Sequence, residues 1–133
     1  MSRDRRSACP IAYALDLVGD RWTLLVLRDL IFLRKRYFQD FLRAGEGIAT
    51  NVLTDRLSRL EEAGMVTKER DPDDGKRFVY RPTQKASDTL PIMLELIAWS
   101  GRYDRETPVS AAFLKRIREG RADLIAEILQ RGR

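Results

Sequence analysis

Residues 38–70 read FQDFLRAGEGIATNVLTDRLSRLEEAGMVTKER, and this stretch decides the fold. Phe38, Phe41 and Leu42 recur at helical spacing and predict a short helix. Residues 45–47, Gly-Glu-Gly, predict a turn, and a second helix is expected from about 49 to 63. A short helix, a glycine-bearing turn and a second helix are typical of a helix-turn-helix motif. The inner stripe of the second helix is leucine: Leu53, Leu57 and Leu60.

The opposite face of the second helix is small, polar or charged. Such a helix fits the major groove of DNA, which is about 12 Å wide. Asparagine can pair with adenine through two hydrogen bonds, threonine offers a hydroxyl and a methyl group, and arginine can reach guanine or phosphate. A solvated surface would look similar, but the order of the elements favours DNA recognition. The candidate recognition residues are Thr50, Asn51, Thr54, Asp55, Arg56, Ser58 and Arg59.

A charged β-hairpin is predicted directly after this helix. Residues 65–70 and 77–81 are strand candidates, and the turn-forming sequence Asp-Pro-Asp-Asp-Gly-Lys lies between them at 71–76. A hairpin in this position is the wing of a winged helix-turn-helix, so the expected fold is mainly α with a small β-hairpin (α+β). The cations expected to contact the DNA backbone are Arg36, Lys68, Arg70, Lys76, Arg77 and Arg81.

Helices are predicted on both sides of this core. One begins at Pro10, and a second, capped by Asp20, runs from about 21 to 33. Thr83 is expected to cap a long helix that reaches Tyr103 with a kink at Pro91. A last helical region spans 110–130 and is divided at Gly120. The predicted organisation is a basic tail (1–8), a winged helix domain with dimerisation helices (9–106) and a C-terminal helical extension (107–133) that forms a dimer arm.

The long helix is apolar nearly all round, which is excessive for a surface helix on so small a domain. Coverage by the last helix is one explanation. A two-fold dimer that packs through its terminal helices is the other, and it places two recognition helices about 34 Å apart on a pseudo-palindromic operator. The predicted dimer residues are Ile11, Leu15, Ile92, Leu96, Trp99, Phe113, Ile117, Leu124 and Ile128.

Composition excludes several classes of protein. The 133 residues carry 25 Lys and Arg against 20 Asp and Glu, a surplus that favours polyanionic partners. One cysteine and no histidine exclude an intramolecular disulfide, ordinary zinc sites and histidine-based triads. No apolar run could span a bilayer, and no leader segment or phosphate-binding glycine loop is present. We expect a cytoplasmic, non-enzymatic protein without cofactor, metal or membrane partner.

Several motifs in register resemble HxlR-type regulators, a branch of the MarR-like winged-helix transcription factors. They are Cys9-Pro10-Ile11, residues 15–25 (LDLVGDRWTLL), residues 52–57 (VLTDRL), residues 60–66 (LEEAGMV), Tyr80 with Thr83, Leu90-Pro91, and Trp99-Ser100-Gly101. The resemblance covers 9–101 and implies a homodimer that binds double-stranded DNA, usually as a repressor and sometimes as an activator. A winged helix used only as a protein–protein interaction module is the alternative.

Cys9 precedes a helix-opening proline, where the positive end of the helix dipole favours a thiolate, and Arg5 and Arg6 would act in the same direction. Oxidation could then couple it to the partner subunit or to a small thiol. The resemblance implies the same role, because some HxlR-type regulators sense oxidants or electrophiles through a cysteine at the matching position. A small buried apolar residue is the competing interpretation. The effector could also be a small apolar molecule held between the dimerising and DNA-binding helices.

Overall fold

The computed structural model describes residues 7–131 as a helical fold with one two-stranded antiparallel sheet. The predicted α+β winged-helix order is confirmed. In chain order the elements are α1 (Pro10–Val18), α2 (Thr23–Ile31), α3 (Phe38–Leu42), α4 (Thr50–Glu62), β1 (Val66–Arg70), β2 (Phe78–Pro82), α5 (Gln84–Ser87), α6 (Leu90–Tyr103), α7 (Ala111–Glu119) and α8 (Arg121–Arg131).

Helix α2 lies at the centre of the core. Its Leu27 and Leu30 are fully buried, and each such leucine contributes about 1.5–3 kcal/mol of hydrophobic free energy. The inner stripe of α4 packs in the same cluster, which fixes the position of the helix-turn-helix. The other large, fully enclosed side chains of this core are Phe41, Leu53, Leu90, Leu94 and Ile117.

The long fifth helix of the sequence prediction is wrong, because the chain forms two helices there. Thr83 caps the short α5 as expected, and its Oγ1 accepts a hydrogen bond from the Ala86 N–H across 3.3 Å. Pro91 then lies in the first turn of α6. Proline lacks an N–H and is tolerated in a first turn, so it begins a new helix instead of bending an existing one.

The wing strands pair in register from Val66 opposite Pro82 to Arg70 opposite Phe78. The Tyr80 N–H also donates to the Arg36 carbonyl across 2.7 Å, so the segment after α2 lies alongside β2. At the tip, the Asp71 carboxylate accepts the Asp73 N–H across 2.9 Å. The hairpin is therefore fastened both at its base and at its turn.

Helices α7 and α8 fold back onto the core of their own protomer. The division at Gly120 is as predicted. The side chains of Ile117, Leu124 and Ile128 are only 1%, 2% and 7% exposed, and Phe113 packs against the same cluster. The assignment of Ile117, Leu124 and Ile128 to the dimer interface is therefore corrected, because these side chains fill the core of their own chain and leave little surface for a partner. Phe113 is partly exposed, and its place in the interface stays a prediction. None of the helices described in residues 7–131 is long and apolar enough to cross a membrane.

Candidate nucleic-acid interface

The turn of the helix-turn-helix depends on glycine. Gly45 and Gly47 have φ values of 89° and 77°, a left-handed conformation that other residues adopt only with strain. Between them Glu46 forms an ion pair with Arg28 of α2 across 3.1 Å. Arg28 also contacts the buried Asp29 across 2.9 Å. The turn that sets the angle between α3 and α4 is thus attached to the central helix.

The outward face of α4 is open to solvent where its first turns begin. Thr50, Asn51, Thr54 and Ser58 are exposed, whereas the leucines behind them are at most 3% exposed. The Thr54 hydroxyl donates to the Thr50 carbonyl across 2.9 Å, which leaves its methyl group and oxygen lone pairs available. This is the surface that direct readout in a major groove requires.

The charged residues of α4 are more constrained than the sequence suggested. The Asp55 carboxylate accepts from Arg56 across 2.5 Å and from Arg59 across 2.9 Å. Arg56 also contacts Asp20 across 2.8 Å, and its side chain is only 19% exposed. The Arg56 guanidinium therefore joins α4 to the beginning of α2, and its contact with DNA stays a prediction. Asp55 and Arg59 remain exposed and stay predictions.

The Asp20 carboxylate accepts several hydrogen bonds where α2 begins. It accepts the backbone N–H groups of Trp22 and Thr23 across 3.0 and 3.2 Å, the Thr23 hydroxyl across 2.5 Å, and Arg56. Burial raises the pKa of Asp20, but the hydrogen bonds from Thr23, Arg56 and Trp22 outweigh it and lower the pKa to about 2. Its capping role was predictable, whereas its pairing with a residue 36 positions away was not.

Two wing cations share one face of the hairpin. Side chains alternate along a strand, so Lys68 and Arg70 of β1 lie on the side that carries Phe78 of β2. The Lys68 ammonium is 4.4 Å and the Arg70 guanidinium 5.1 Å from the centre of the Phe78 ring. By the same alternation Arg81 lies on the opposite face. Lys76, at the turn, is exposed.

Arg77 belongs to a cluster at the turn end of the wing, between the two strands. Its guanidinium contacts Asp71 across 2.6 Å and lies 3.9 Å from the centre of the Tyr37 ring. Hydrogen bonds from the Asp73 N–H, then from Arg77 and Tyr37, lower the pKa of Asp71. Arg77 therefore supports the shape of the wing, although its side chain is still 51% exposed.

Arg36 forms hydrogen bonds near the end of α2, and its contact with DNA stays a prediction. One terminal nitrogen donates to the carbonyls of Leu30 and Lys35 across 2.8 and 2.9 Å, and the residue is half-buried. The Leu30 carbonyl lies at the C-terminal end of α2, where carbonyl groups lack helical partners and cations are favoured. Arg36 therefore stabilises the end of the central helix.

A family model described as HxlR-like helix-turn-helix matches residues 17–108. The chain belongs to this family. An HTH-type transcriptional regulator of Mycobacterium tuberculosis is 36% identical over 93 residues, which are 70% of this chain and 58% of the relative. The HTH-type transcriptional regulator YdeP of Bacillus subtilis is 30% identical over 112 residues, which are 84% of this chain and 87% of YdeP.

Solved structures show the same fold. The crystal structure of the transcription-factor candidate PA1607 is 30% identical with a TM-score of 0.70, over 79% of this chain and 72% of that one. The redox regulator HypR in its oxidised form is 25% identical with a TM-score of 0.62, over 71% of this chain and 96% of HypR. The resemblance to the HxlR family read from the motifs is thereby confirmed, together with the winged-helix fold.

In this HxlR-family chain, helix α6 carries a stripe of apolar side chains that are exposed to solvent. Ile92, Leu96 and Trp99 are 44%, 47% and 66% exposed, as a partner-facing surface would be. Tyr103, also 66% exposed, extends the stripe, and its ring centre lies 5.5 Å from that of Trp99. The sequence prediction missed Tyr103, although its spacing of four residues from Trp99 continues the stripe. On α1, Ile11 and Leu15 are 68% and 59% exposed.

Cys9 is a free, exposed thiol at the N-cap position of α1. Its backbone N–H donates to the Ser7 hydroxyl across 3.0 Å, while its side chain forms no capping hydrogen bond. The interpretation of Cys9 as a small buried residue is therefore wrong. Arg5 and Arg6, which were expected to favour the thiolate, lie outside the described residues.

Proposed function

We propose that this chain is a sequence-specific DNA-binding transcriptional regulator that acts by binding and not by catalysis. The observation that carries the proposal is the exposed polar face of α4, backed by buried leucines and followed by a wing with Lys68 and Arg70 on one face. Asn51 and Thr54 would read base edges in the major groove, and the wing cations would contact phosphates. The family of the chain and the names of its relatives support this reading.

The proposal includes a two-fold homodimer. The stripe of Ile92, Leu96 and Trp99 on α6 and the exposed Ile11 and Leu15 on α1 are large apolar side chains without cover in residues 7–131. Burying them against a second copy removes them from water and places two recognition helices one helical turn of DNA apart. The operator would be pseudo-palindromic, and a dimer that occupies it near a promoter would act as a repressor.

Fluorescence anisotropy with duplex DNA at several salt concentrations tests this function. For a dimer that neutralises about 8 phosphates, the logarithm of the association constant for DNA should fall linearly with the logarithm of the salt concentration, with a slope of about −7. DNA upstream of the protein's own gene should be bound more tightly than scrambled DNA of the same length and composition. A flat salt dependence, or equal affinity for both sequences, contradicts the proposal.

We also propose that Cys9 makes the regulator responsive to oxidants. The thiol is exposed beside the apolar face of α1, and the similarity to the oxidised form of HypR supports this reading. With a hydroperoxide, the thiolate would attack the O–O bond, releasing an alcohol and leaving a sulfenic acid. A second thiol, from the partner's Cys9 or a small molecule, would displace water and form a disulfide.

Cys9→Ser tests the oxidant response. The wild type should release operator DNA on treatment with hydroperoxide and recover with dithiothreitol, whereas Cys9→Ser should remain bound. Non-reducing electrophoresis and intact mass spectrometry would distinguish a linked dimer from a mixed disulfide. Equal release by both proteins would show that Cys9 is not the sensor.

A further inference from the structure

A cavity of about 250 Å³ lies between the base of the wing and the C-terminal helix. Its wall is formed by the end of α2, by the end of β2, by α5 and by α8. Helix α8 lies beyond residue 108, where the match to the HxlR family model ends. The cavity is thus lined on one side by a segment that this family match does not cover.

The rim of the cavity is basic. Arg36 and Arg81 both line it, and no acidic side chain of the described residues does. Burial, followed by the like charges of Arg81 and Arg34, lowers the pKa of Arg36, so these guanidinium groups are close enough to repel one another. A bound anion would relieve that repulsion and replace it with charge-assisted hydrogen bonds.

Arg81 is placed to supply the principal contact. Its side chain is exposed, and none of the ion pairs found within residues 7–131 involves it. Strand alternation directs it away from the face of Lys68 and Arg70. Arg36 is held at the rim by its hydrogen bonds to the Leu30 and Lys35 carbonyls. One arginine is thus fixed in position while the other can move onto a ligand.

Part of the wall is apolar. Leu30 is fully buried, Ile128 is 7% exposed, and Leu129 is half-buried beside it. Ser87 of α5 adds a hydroxyl at the rim. Ligand pockets combine such an apolar lining with a few polar groups that fix orientation, and most have volumes of about 300–1,000 Å³. A cavity at or below the lower end of that range suits a single ring or a short chain.

We propose that this cavity binds a small organic monocarboxylate, with its carboxylate between Arg36 and Arg81 and its apolar tail against Ile128 and Leu129. Because Arg81 and Pro82 end the second wing strand, occupancy would also change the position of the wing. That regulatory consequence rests on the proposed DNA-binding function, whereas binding itself does not.

Binding is tested on the full chain without DNA, by methyl NMR titration with benzoate and hexanoate. For ligands of about nine heavy atoms a dissociation constant of about 1 mM or below is expected. The methyl signals of Ile31 and Ile128, which line the cavity, should shift, and that of Ile92 on α6 should not. Benzamide, which lacks the charge, and inorganic phosphate, which lacks the apolar tail, should bind more weakly.

Arg81→Gln provides the decisive variant. Loss of a charge-assisted hydrogen bond should weaken benzoate binding by about tenfold or more. Arg105→Gln is the matched control, because Arg105 is exposed and does not line the cavity. Circular dichroism would verify that both variants fold. Failure of both carboxylates to bind the wild type, equal affinity in Arg81→Gln, or shifts confined to Ile92 would overturn the proposal.

Anisotropy with operator DNA, with and without benzoate, then tests the coupling. Linkage requires that any effect of ligand on DNA affinity be matched by an equal effect of DNA on ligand affinity. A change in the wild type that is lost in Arg81→Gln supports regulation through this cavity. Binding without an effect on DNA affinity refutes the coupling but leaves the site intact, and absence of DNA binding under all conditions refutes only the proposed function.

Discussion

Arg56 of α4 and Asp20 at the beginning of α2 form an ion pair of 2.8 Å between residues 36 positions apart. The same carboxylate caps α2 through the N–H groups of Trp22 and Thr23. The start of one helix and the rotation of the other are therefore set by one side chain. This pair keeps the exposed face of the candidate recognition helix directed outward.

Asp20→Ala should lower the free energy of unfolding by about 1–3 kcal/mol, because it removes a helix cap and an ion-pair partner together. Arg56→Gln should cost about 1 kcal/mol, since the cap is retained. Urea denaturation followed by circular dichroism measures both. The double variant should lose less than the sum of the single losses, because the two side chains interact. Strict additivity would argue against the pairing.

The low pKa of Asp20 predicts that the free energy of unfolding depends on pH in the acid range. Its pKa is about 2 in the folded protein against an ordinary value of 3.8, so folding favours the ionised carboxylate. That contribution is fully present above about pH 4 and is lost as the pH falls towards about 2. Urea midpoints measured across this range should fall less steeply in Asp20→Ala than in the wild type. Equal slopes would show that Asp20 is not responsible.

Asn51→Ala and Lys68→Ala should affect DNA binding differently. Loss of a base-reading pair should cost about 1–3 kcal/mol on the preferred operator and change the ranking among sequences. Loss of a phosphate contact should weaken every sequence alike and reduce the salt slope by about 2 in a dimer. Anisotropy with a small panel of operator variants measures both effects. A uniform loss with Asn51→Ala would remove its base-reading role.

Leu96→Glu should weaken the homodimer by about tenfold or more, because it places a charge in the centre of the apolar stripe on α6. Sedimentation equilibrium measures the dissociation constant. Leu33→Glu is the matched control, since Leu33 is also exposed (55%) but lies outside α1 and α6. An unchanged dimer in Leu96→Glu, or equal weakening by the two variants, would locate the interface elsewhere.

Ile117→Ala should act on stability, in contrast to Leu96→Glu. Its side chain is 1% exposed within the protomer, and truncation of such a residue costs about 2–5 kcal/mol. At temperatures where the variant stays folded, its dimer dissociation constant should match that of the wild type. A weakened dimer with unchanged unfolding would instead support the arm that the sequence suggested.

The sequence by itself determined the order of the elements from α1 to the end of the wing and the faces of the recognition helix. Leucines at 53, 57 and 60 face inward because helical periodicity fixes which residues share a side, and the glycines at 45 and 47 mark a turn that needs positive φ. Family motifs distributed along the chain made the winged helix recognisable. These are local properties, and they are preserved in the folded chain.

Only the tertiary structure decided where the long cationic side chains go and what covers the apolar faces. Arg56 and Arg36 are held by Asp20 and by the Leu30 carbonyl, whereas Lys68 remains at the surface. Ile117 faces the core of its own protomer, while Trp99, on the preceding helix, is exposed. Periodicity shows that a helix has an apolar side, but it does not show which surface covers that side. A guanidinium likewise binds the acceptors that folding brings near it from distant parts of the chain.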